Sequence, residues 1–514
     1  MIYLIRHFGT SQEEDKNSVS FLGAIYAGAA VMLALYGVNS LVMLVLYLRH
    51  RRRTPPLPLL TSTPRVTVQL PIYNERYVVE RLIDAVAALD YPWDRLQIQV
   101  LDDSTDETTA IAQERAAYHR QRGVDIAVIH RTERAGFKAG ALAHGLNTAT
   151  GEFIAVFDAD FVPDPDFLRQ TVPHFPAQPD LGLIQTRWGH INGDYSLLIR
   201  AQTLALDGHF VVEQTARQRA GLFMNFNGTA GIWRRACIED SGGWQGDTLS
   251  EDLDLSYRAQ LRGWRFLFLP DMVSPAEVPP HVAAFKRQQF RWAKGSIQCL
   301  RKLGWAVLTA REPLFKRVQG LIHLSSYLVH PLMLVLLITS LPLMLWGGMP
   351  SLPLAYLSLA SAGPPLLYAV AQRALYADWR RRWAVFPVLA LLGTGVALNN
   401  TQAVIEALMG YGQSFRRTPK FRLEARSDHW RDKEYALPLS WLTLGEAVLA
   451  LYASFTVIVA CLRGHAYAVP FLLLYVAGFG YVAALGLWHS VAWSRFRLPQ
   501  LRASRKATMG ARRP

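Results

Sequence analysis

The sequence predicts an α/β domain inserted between transmembrane α-helices, and three observations support this fold class. Long apolar runs occur near the start of the chain and again after residue 320. Between them, apolar runs of four to eight residues alternate with helix-like stretches, which is typical of a mostly parallel sheet. Of the 514 residues, 51% are hydrophobic and 18% are charged. This mixture indicates a partly soluble, partly bilayer-embedded protein and excludes intrinsic disorder.

The net charge indicates the class of partner, and the cysteine content excludes one class of fold. The formal net charge is +14, which would suit either nucleic acid or anionic lipid. Because the basic clusters flank the apolar runs, we expect membrane lipid as a partner and no nucleic acid. Cys237, Cys299 and Cys461 are scattered and lack a zinc-type spacing, which excludes a disulfide scaffold.

The first apolar run, residues 21–48, exceeds the roughly 20 residues that a membrane span needs. Basic residues follow it directly, and the positive-inside rule places that end in the cytoplasm and residues 1–20 outside. No small-residue cleavage site follows, so residues 1–53 are predicted to be a retained N-terminal transmembrane anchor. Residues 54–318 are then the predicted cytoplasmic domain.

Apolar runs return in residues 319–493, the predicted transmembrane bundle, and residues 494–514 form a basic cytoplasmic tail. The candidate spans are residues 320–346, 351–371, 384–411, 441–463 and 468–490. Three basic clusters lie at residues 373–382, 416–426 and 495–513. If all three are cytoplasmic, an even number of spans must join the domain to the tail.

The five candidate runs are an odd number, so one of them is not a full membrane span. We select the run 384–411 as that one. It joins two basic loops, it is too short for two crossings, and Asn399, Asn400 and Glu406 interrupt it. We interpret it as a re-entrant or interfacial helix, which leaves five spans in total. The alternative is a sixth true span, which would place the segment around Arg416 outside.

Polar residues follow the first two predicted strands of the domain. In open α/β sheets, ligands bind at the carboxyl ends of strands. Tyr73 could stack on a nucleobase there and Glu75 could reach a ribose or an amide, although the same residues also suit a plain strand–turn–helix. Asp102 and Asp103 end the next strand and can accept hydrogen bonds from a base and a ribose, while Asp106 is the predicted helix cap.

Asp158 and Asp160 end the next predicted strand, two residues apart. Strand periodicity places both on one side, where they could hold one hard cation, Mg2+ or Mn2+, together with diphosphate oxygens. The alternative is a solvated pair of turn residues.

Two further clusters carry candidate chemistry. Glu251 and Asp252 precede a predicted helix, where Asp252 could act as a general base, although a capping box of Ser250 with Asp254 explains the same residues. A basic, aromatic stretch contains Gln288, Arg291 and Trp292. Arg291 could bind a diphosphate and Trp292 could face a sugar ring, or the stretch could be an amphipathic interfacial helix.

The ordered set Asp103, Asp158-Ala-Asp160, Glu251-Asp252 and Gln288-x-x-Arg291-Trp292 resembles the D, DxD, (T/S)ED, QxxRW pattern of membrane-embedded family 2 glycosyltransferases. That group includes the cellulose, hyaluronan, chitin and mannan synthases, and the resemblance covers roughly residues 20–490. Residues 185–192 and 206–210 are similar to plant cellulose synthase-like A and C proteins and their bacterial relatives. Ser250 stands where cellulose synthases usually carry Thr.

The resemblance implies a GT-A-like cytoplasmic glycosyltransferase domain and supplies roles for matching positions. Asp252 would be the base, with Glu251 beside it, and Asp158 and Asp160 would bind the donor through Mg2+ or Mn2+. The expected donor-binding residues are Tyr73, Glu75, Asp102, Asp103, Lys138, Asp158, Gln288 and Arg291. The expected acceptor-binding residues are Trp292 and, in the FxGT-like loop, Gly228 and Thr229.

A segment of the bundle, residues 412–426, resembles the gating loop of cellulose synthases. Its Phe415-Arg-Arg-Thr418-Pro-Lys420 fits the FxxTxK spacing, which implies that Thr418 and Lys420 approach the donor diphosphate. This role requires a cytoplasmic position and supports the five-span topology. The alternative is a basic loop held at anionic headgroups.

The implied function is a processive inverting β-glycosyltransferase. It would transfer a hexose from UDP-glucose or GDP-mannose to a growing β-linked polysaccharide, of glucan or mannan type, and translocate the polymer. The alternative is a non-processive lipid β-glucosyltransferase, whose glycolipid acceptor is ceramide or diacylglycerol. A channel or transporter is disfavoured, because neither mid-span charges nor inverted repeats are evident. We expect a multi-pass protein of a bacterial inner (plasma) membrane.

Overall fold

The computed structural model describes residues 14–52, 56–59, 62–349, 357–411, 417–424, 427–430, 433 and 440–510. Its strands are β1 (Val66–Ile72), β2 (Leu96–Asp102), β3 (Asp125–His130), β4 (Phe153–Val156), β5 (Leu181–His190), β6 (Gly231–Arg234) and β7 (Arg265–Ala276).

Helices precede, cover and follow this sheet. Up to the end of the sheet they are α1 (Glu14–His50), α2 (Val79–Ala87), α3 (Thr108–Arg120), α4 (Phe137–Leu146), α5 (Phe167–Thr171), α6 (His174–Ala177), α7 (Leu197–Asp207), the π-helix Gly208–Gln214, α8 (Thr215–Arg219), α9 (Arg235–Asp240) and α10 (Glu251–Leu261). After the sheet they are α11 (Val282–Thr309), α12 (Leu314–Leu324), α13 (Val329–Trp346), α14 (Gly363–Leu375), α15 (Trp379–Trp383), α16 (Phe386–Gly395), α17 (Ala397–Met409), α18 (Leu442–Leu462) and α19 (Val469–Gly510).

The strands form one mixed sheet in the order β3-β2-β1-β4-β6-β5-β7. Strands β3, β2, β1 and β4 are mutually parallel, whereas β6 runs antiparallel to β4 and β5. The chain passes outward from β1 to β2 and β3, then returns to the other side of β1 as β4. Ligands bind at the carboxyl ends of strands at such a switch point, and Glu75, Asp103 and Asp158 all follow strands that end there. The predicted α/β class is confirmed.

Both faces of the sheet are buried, which explains why the strands are nearly all apolar. In β4, Phe153 and Ala155 belong to the apolar core on one face, and Ile154 and Val156 belong to the core on the other. This alternation is the strand period of two. It fixes the strand register and therefore the direction in which the residues after β4 point.

Four stretches in the described part of the chain are long and apolar enough to cross a membrane. They are Ser20–His50, Ser326–Trp346, Leu442–Leu462 and Ala466–Ser490, and they correspond to four of the five predicted spans. The remaining prediction, residues 351–371, falls partly on residues 350–356, which lie outside the described residues. Its described helix α14 has 13 residues and begins at Gly363, with Pro364 and Pro365 in its first turn.

The connection from α13 to α14 nevertheless agrees with that predicted crossing. Helix α13 has 18 residues, a rise of about 27 Å, and it follows α12, whose end contacts the domain, where Ser296 donates to the backbone carbonyl of Leu324 at 2.9 Å. In α14, Gln372 donates a hydrogen bond to Asp207 of the domain. The chain therefore returns toward the domain between Trp346 and Gln372, and the crossing stays a prediction.

The run 384–411 is broken rather than continuous. Residues Trp379–Gly395 and Ala397–Met409 meet at an angle of 44°, a geometry that suits either a broken span or a re-entrant segment. Its polar residues face protein. Asn399 donates to the backbone carbonyl of Lys286 at 3.0 Å, and Glu406 pairs with Lys294 at 2.8 Å. Such burial allows polar groups to persist at membrane depth.

Close packing of α16 on α19 gives a stability test. A Cβ added at Gly395 would lie 2.3 Å from Val482 Cγ2 and 2.4 Å from the Gly478 carbonyl oxygen, whereas one at Gly393 meets nothing within 4 Å. We expect Gly395→Ala to destabilise the bundle by about 1–3 kcal/mol through overpacking. Thermal unfolding of the detergent-solubilised protein measures this. Gly393→Ala, on the same helix, is the control and should not lower Tm; equal melting of both variants would contradict the packing.

Candidate active site

An open cavity of about 810 Å³ lies at the switch-point edge of the sheet. Ten of the residues predicted from the sequence line it, and they come from the strand ends, from α4, α10 and α11, and from the 417–424 segment. They are Lys138, Asp158, Asp160, Gly228, Glu251, Asp252, Gln288, Arg291, Trp292 and Lys420. The fold thus brings together acidic residues that are almost 100 positions apart in the chain.

The two carboxylates after β4 are each paired with a lysine. Lys138 Nζ, in the first turn of α4, donates to Asp158 Oδ1 at 2.6 Å, and Lys420 Nζ donates to Asp160 Oδ2 at 2.6 Å. Burial lowers the pKa of both lysines, but Asp158 for Lys138 and Asp160 for Lys420 reverse this and raise each pKa above its ordinary value. Both lysines therefore stay charged beside the carboxylates.

The carboxylates expected on the nucleoside side are paired with arginines. Arg131 makes a bidentate contact to Asp103, at 2.7 and 2.6 Å, and Arg417 makes one to Glu75, at 3.0 and 2.7 Å. Burial raises the pKa of Glu75 above its ordinary value, and Arg417 offsets part of the rise. The guanidinium of Arg134 lies 3.5 Å from the ring centroid of Tyr73. These residues lie at the same sheet edge, outside the lining of the cavity.

Asp102 forms hydrogen bonds through its carboxylate within the turn at the end of its own strand, β2. Its carboxylate accepts the backbone N–H of Ser104 at 2.9 Å and the hydroxyl of Thr109 at 2.6 Å, and it contacts His130 Nδ1 at 2.8 Å. Its side chain is fully buried. This geometry favours an anchor for the β2–α3 turn. The expected turn-capping role of Asp106 agrees, since Asp106 accepts the N–H of Thr108.

Asp252 lies in the first turn of α10, beside Glu251. Burial and the neighbouring Glu251 carboxylate raise the pKa of Asp252 to about 7, and Lys138 offsets part of this rise. The capping-box alternative does not describe the helix start. Ser250 makes no side-chain capping bond there, and the buried Asp254 binds Arg258 and Lys302 instead.

The loop before β6 supports both acidic pairs. Gly228 has φ +82°, and a Cβ there would lie 3.0 Å from Asp252 Oδ2, so only glycine suits this position without strain. Its carbonyl accepts a hydrogen bond from Lys138 at 2.7 Å. The hydroxyl of Thr229 accepts the backbone N–H of Asp158 at 2.9 Å. Thr229 lies behind the cavity wall, so its acceptor role stays a prediction.

The segment 417–424 lies against the domain. Besides Arg417 and Lys420, Glu424 pairs with Arg81 at 2.8 Å, and Phe421 is buried with Leu423. Thr418 is buried beside the cavity lining, 5% exposed. Phe415 and Arg416, the start of the gating-loop pattern, lie outside the described residues. These contacts with the domain agree with the cytoplasmic position that the five-span topology requires, which stays a prediction.

Asp158 and Asp160 fit a divalent cation as a donor set. Mg2+ and Mn2+ prefer oxygen ligands, and Mg2+ is commonly bound by one or two carboxylates together with substrate phosphates. Within the part of the chain that the structure describes, no group of three or more His, Cys, Asp or Glu side chains is arranged to hold a metal. A metal here would therefore depend on the phosphates for its other ligands.

Residues 64–295 match the family model described as "Glycosyltransferase like family 2". This part of the chain is a glycosyltransferase family 2 domain. The expected resemblance is thereby confirmed, and with it the GT-A type of α/β fold. The flanking apolar helices agree with the expected membrane protein.

Similar proteins include plant enzymes and a protein of solved structure. The chain is 43% identical over 259 residues to "Glucomannan 4-beta-mannosyltransferase 2" of Arabidopsis thaliana, which covers 50% of this chain and 48% of the relative. It is 44% identical over 267 residues to "Glucomannan 4-beta-mannosyltransferase 1" of Oryza sativa subsp. japonica, with 49% and 51% covered. The chain thus spans about half the length of the curated relatives it matches. Their plant origin gives no support to the expected bacterial membrane.

The solved structure is the mannosyltransferase PcManGT from Pyrobaculum calidifontis in complex with GDP-Man and Mn2+. It aligns with a TM-score of 0.51 and 25% identity, over 76% of this chain and 100% of that one. The alignment supports the fold assignment independently of the sequence motifs.

Sequence reasoning predicted Lys138 and Lys420 but missed the two arginines that pair with the other carboxylates. Arg131 follows β3 directly, so the end of a third parallel strand was an available signal, whereas Arg417 is 342 positions from its partner Glu75 and gave none. Glu277, between β7 and α11, was missed as well. It lines the cavity, accepts the N–H of Phe421 at 2.9 Å, and burial raises its pKa to about 7.

Proposed function

We propose that this chain is an inverting β-mannosyltransferase that transfers mannose from GDP-mannose to a growing β-1,4-linked mannan-type polysaccharide. One observation carries the proposal: a carboxylate with a raised pKa, Asp252, shares one cavity with the carboxylate pair Asp158 and Asp160 and with Arg291. The plant relatives, named glucomannan 4-beta-mannosyltransferases, support the sugar and the linkage. The solved neighbour, in complex with GDP-Man and Mn2+, supports the donor.

The donor would lie along the switch-point edge of the sheet. Tyr73, Glu75 and Asp103 would contact the nucleoside, and Lys138, Lys420 and Arg291 would contact the diphosphate. A divalent cation held by Asp158 and Asp160 would neutralise charge that builds on the departing nucleoside diphosphate. Arg291 lines the same cavity and would add a further positive charge there.

Asp252 is the proposed base. Its Oδ1 accepts the N–H of Leu253 at 2.8 Å, which leaves Oδ2 to take the proton of the acceptor hydroxyl. The deprotonated oxygen attacks the anomeric carbon from the face opposite the diphosphate, so an α-linked donor gives a β-linked product without a covalent intermediate. Trp292 offers a flat face for the acceptor sugar.

The membrane helices provide a route for the product. Four described stretches are long and apolar enough to span, and the basic residues after α1 favour a cytoplasmic domain. Sugar hydroxyls need polar partners at membrane depth. The buried Asn399 and Asn400 and the half-buried Glu406 of α17 would supply such groups next to α11. We therefore propose that the polymer leaves through the bundle. A lipid acceptor, the alternative, remains an outcome of the test below.

Replacing Asp252 with Asn should remove the base and leave the donor site intact. We expect sugar transfer by the purified full chain to fall roughly 10²- to 10⁴-fold, with GDP-mannose binding unchanged. Labelled GDP-mannose and UDP-glucose are supplied in parallel with Mn2+, and the product is tested for β-mannanase digestion and for extraction into organic solvent.

Asp247→Asn is the matched control, because Asp247 lies five residues earlier and is exposed, with a side chain 55% accessible. Full transfer by Asp252→Asn would refute Asp252 as the base. Transfer from UDP-glucose alone would refute GDP-mannose as the donor. A product that partitions wholly into organic solvent would refute a polysaccharide as the product.

The raised pKa of Asp252 predicts a pH profile. A base works only when ionised, so below about pH 7 the value of kcat/KM should fall about tenfold for each pH unit and level off above it. Initial rates at donor concentrations below KM measure this, with enzyme stability checked at each pH. A profile that is flat from about pH 5 to 8 would contradict a base with this pKa.

Metal binding should depend on Asp160. We expect chelation to stop transfer and Asp160→Asn to weaken Mn2+ binding at least about 10-fold, since even the outer-shell partners of a metal ligand cost that much. Electron paramagnetic resonance of free Mn2+ in the presence of GDP reads binding without activity. Asp164→Asn, at an exposed position four residues later, is the control. Undiminished Mn2+ binding in the Asp160 variant would count against the site.

A further inference from the structure

Two side chains that the proposed mechanism does not use line the same cavity. Trp188 and His190 lie two residues apart on β5, so their side chains share one face of the strand. Among the described residues, Trp188 Nε1 and His190 Nδ1 are buried and have no hydrogen-bond partner. Native proteins rarely leave buried polar atoms unpaired, because each forfeits its bonds to water. A ligand in the cavity would satisfy both atoms.

The contact of His190 Nε2 determines whether His190 Nδ1 donates or accepts a hydrogen bond. His190 Nε2 lies 2.9 Å from Asp207 Oδ1, and the side chain is 93% buried, with 7% exposed. Asp207 Oδ2 accepts a hydrogen bond from Gln372 Nε2 at 2.8 Å. With Asp207 as the hydrogen-bond acceptor of Nε2, the imidazole tautomer that carries one proton holds it on Nε2, and Nδ1 is then an acceptor. Trp188 Nε1 is a donor.

The surroundings hold these two atoms in place. Asp207 directly precedes the π-helix Gly208–Gln214, and π-helices occur often at functional sites. Trp188 packs between Phe210 of that π-helix, at 5.1 Å, and Phe161, at 5.3 Å. Phe161 directly follows Asp160, so this wall adjoins the donor side of the cavity. Through Gln372, helix α14 of the membrane part braces the same wall.

We infer that Trp188 Nε1 and His190 Nδ1 form a hydroxyl-binding subsite for the transferred hexose, with Asp207 and Gln372 as positioning residues. One donor and one acceptor match a sugar hydroxyl, which both accepts and donates, or two neighbouring hydroxyls of a pyranose. A site that bonds a hydroxyl discriminates strongly against sugars that lack it. The subsite would therefore select the hexose. This inference rests on the proposed function and names its specificity element.

A donor panel tests the subsite. The full chain and its His190→Ala, His190→Gln, Asp207→Asn and Gln372→Leu variants are assayed with GDP-mannose and its 2-, 3-, 4- and 6-deoxy analogues. In the unaltered protein we expect at least one deoxy analogue to lose about 10- to 100-fold in kcat/KM. In His190→Ala, GDP-mannose should lose a similar factor and the penalty for that analogue should vanish, while GDP binding is unchanged. A merely structural role would lower all donors alike.

The other variants distinguish the residues that position His190 from the direct contact of His190 with the sugar. His190→Gln keeps an acceptor oxygen and should recover part of the selectivity. Asp207→Asn should cost about as much as His190→Ala, because the amide can donate to Nε2 and reverse the tautomer. Gln372→Leu should cost less, since His190 keeps its carboxylate. His144→Ala, at an exposed position on α4, is the control for a histidine loss and should change no selectivity.

The outcomes distinguish this inference from the proposed function. Failure of the unaltered protein to transfer from any nucleotide sugar would overturn both. Transfer that Asp252→Asn stops, but with unchanged deoxy selectivity in His190→Ala and His190→Gln, would overturn the subsite alone. So would an effect confined to the KM of the acceptor.

Discussion

The site depends on the repulsion between buried carboxylates and on the cations that offset it. Asp158, Asp160, Glu251 and Asp252 line one cavity. Carboxylates so placed cannot all stay ionised unless positive groups lie among them. Lys138 and Lys420 meet Asp158 and Asp160 at 2.6 Å each. Asp252, for which the described residues offer no cation at such a distance, has its pKa raised to about 7.

The same charge balance explains why the two parts of the chain act together. The cations that the domain lacks come from the segment after α17, as Arg417 to Glu75 and Lys420 to Asp160. A further polar contact joins domain and bundle through Gln372 and Asp207. The segment 417–424 is therefore an integral part of the site. Its proposed approach to the donor diphosphate follows from where Lys420 already lies.

Much of the site could be predicted because strand ends and strand periodicity are local properties. Asp158 and Asp160 follow a short apolar strand, and a period of two places both on one side. Parallel strands put Asp103 and Glu75 at the same edge. Local pattern also suggested a helix-cap role for Asp106, which accepts the N–H of Thr108, but it did not show that the Asp102 carboxylate is bonded within its own turn.

The rest required the three-dimensional fold. Partners such as Arg417 and Glu75 are hundreds of residues apart, and no local pattern links them. That His190 Nδ1 accepts a hydrogen bond follows only from the contact between His190 Nε2 and Asp207, which directly precedes the π-helix. The predicted span 351–371 contains Pro364 and Pro365, and Pro is tolerated at a helix start but not in its interior, so the described helix starts there. Composition alone could not locate that start.

The most direct test of the central claim is an experimental structure of the full chain with GDP-mannose and Mn2+. The account predicts Mn2+ bound by Asp158, Asp160 and the diphosphate, Lys138 and Lys420 turned to the phosphates, and the mannose between the diphosphate and Asp252. A donor bound with its sugar away from Asp252, or Mn2+ bound by neither aspartate, would contradict it.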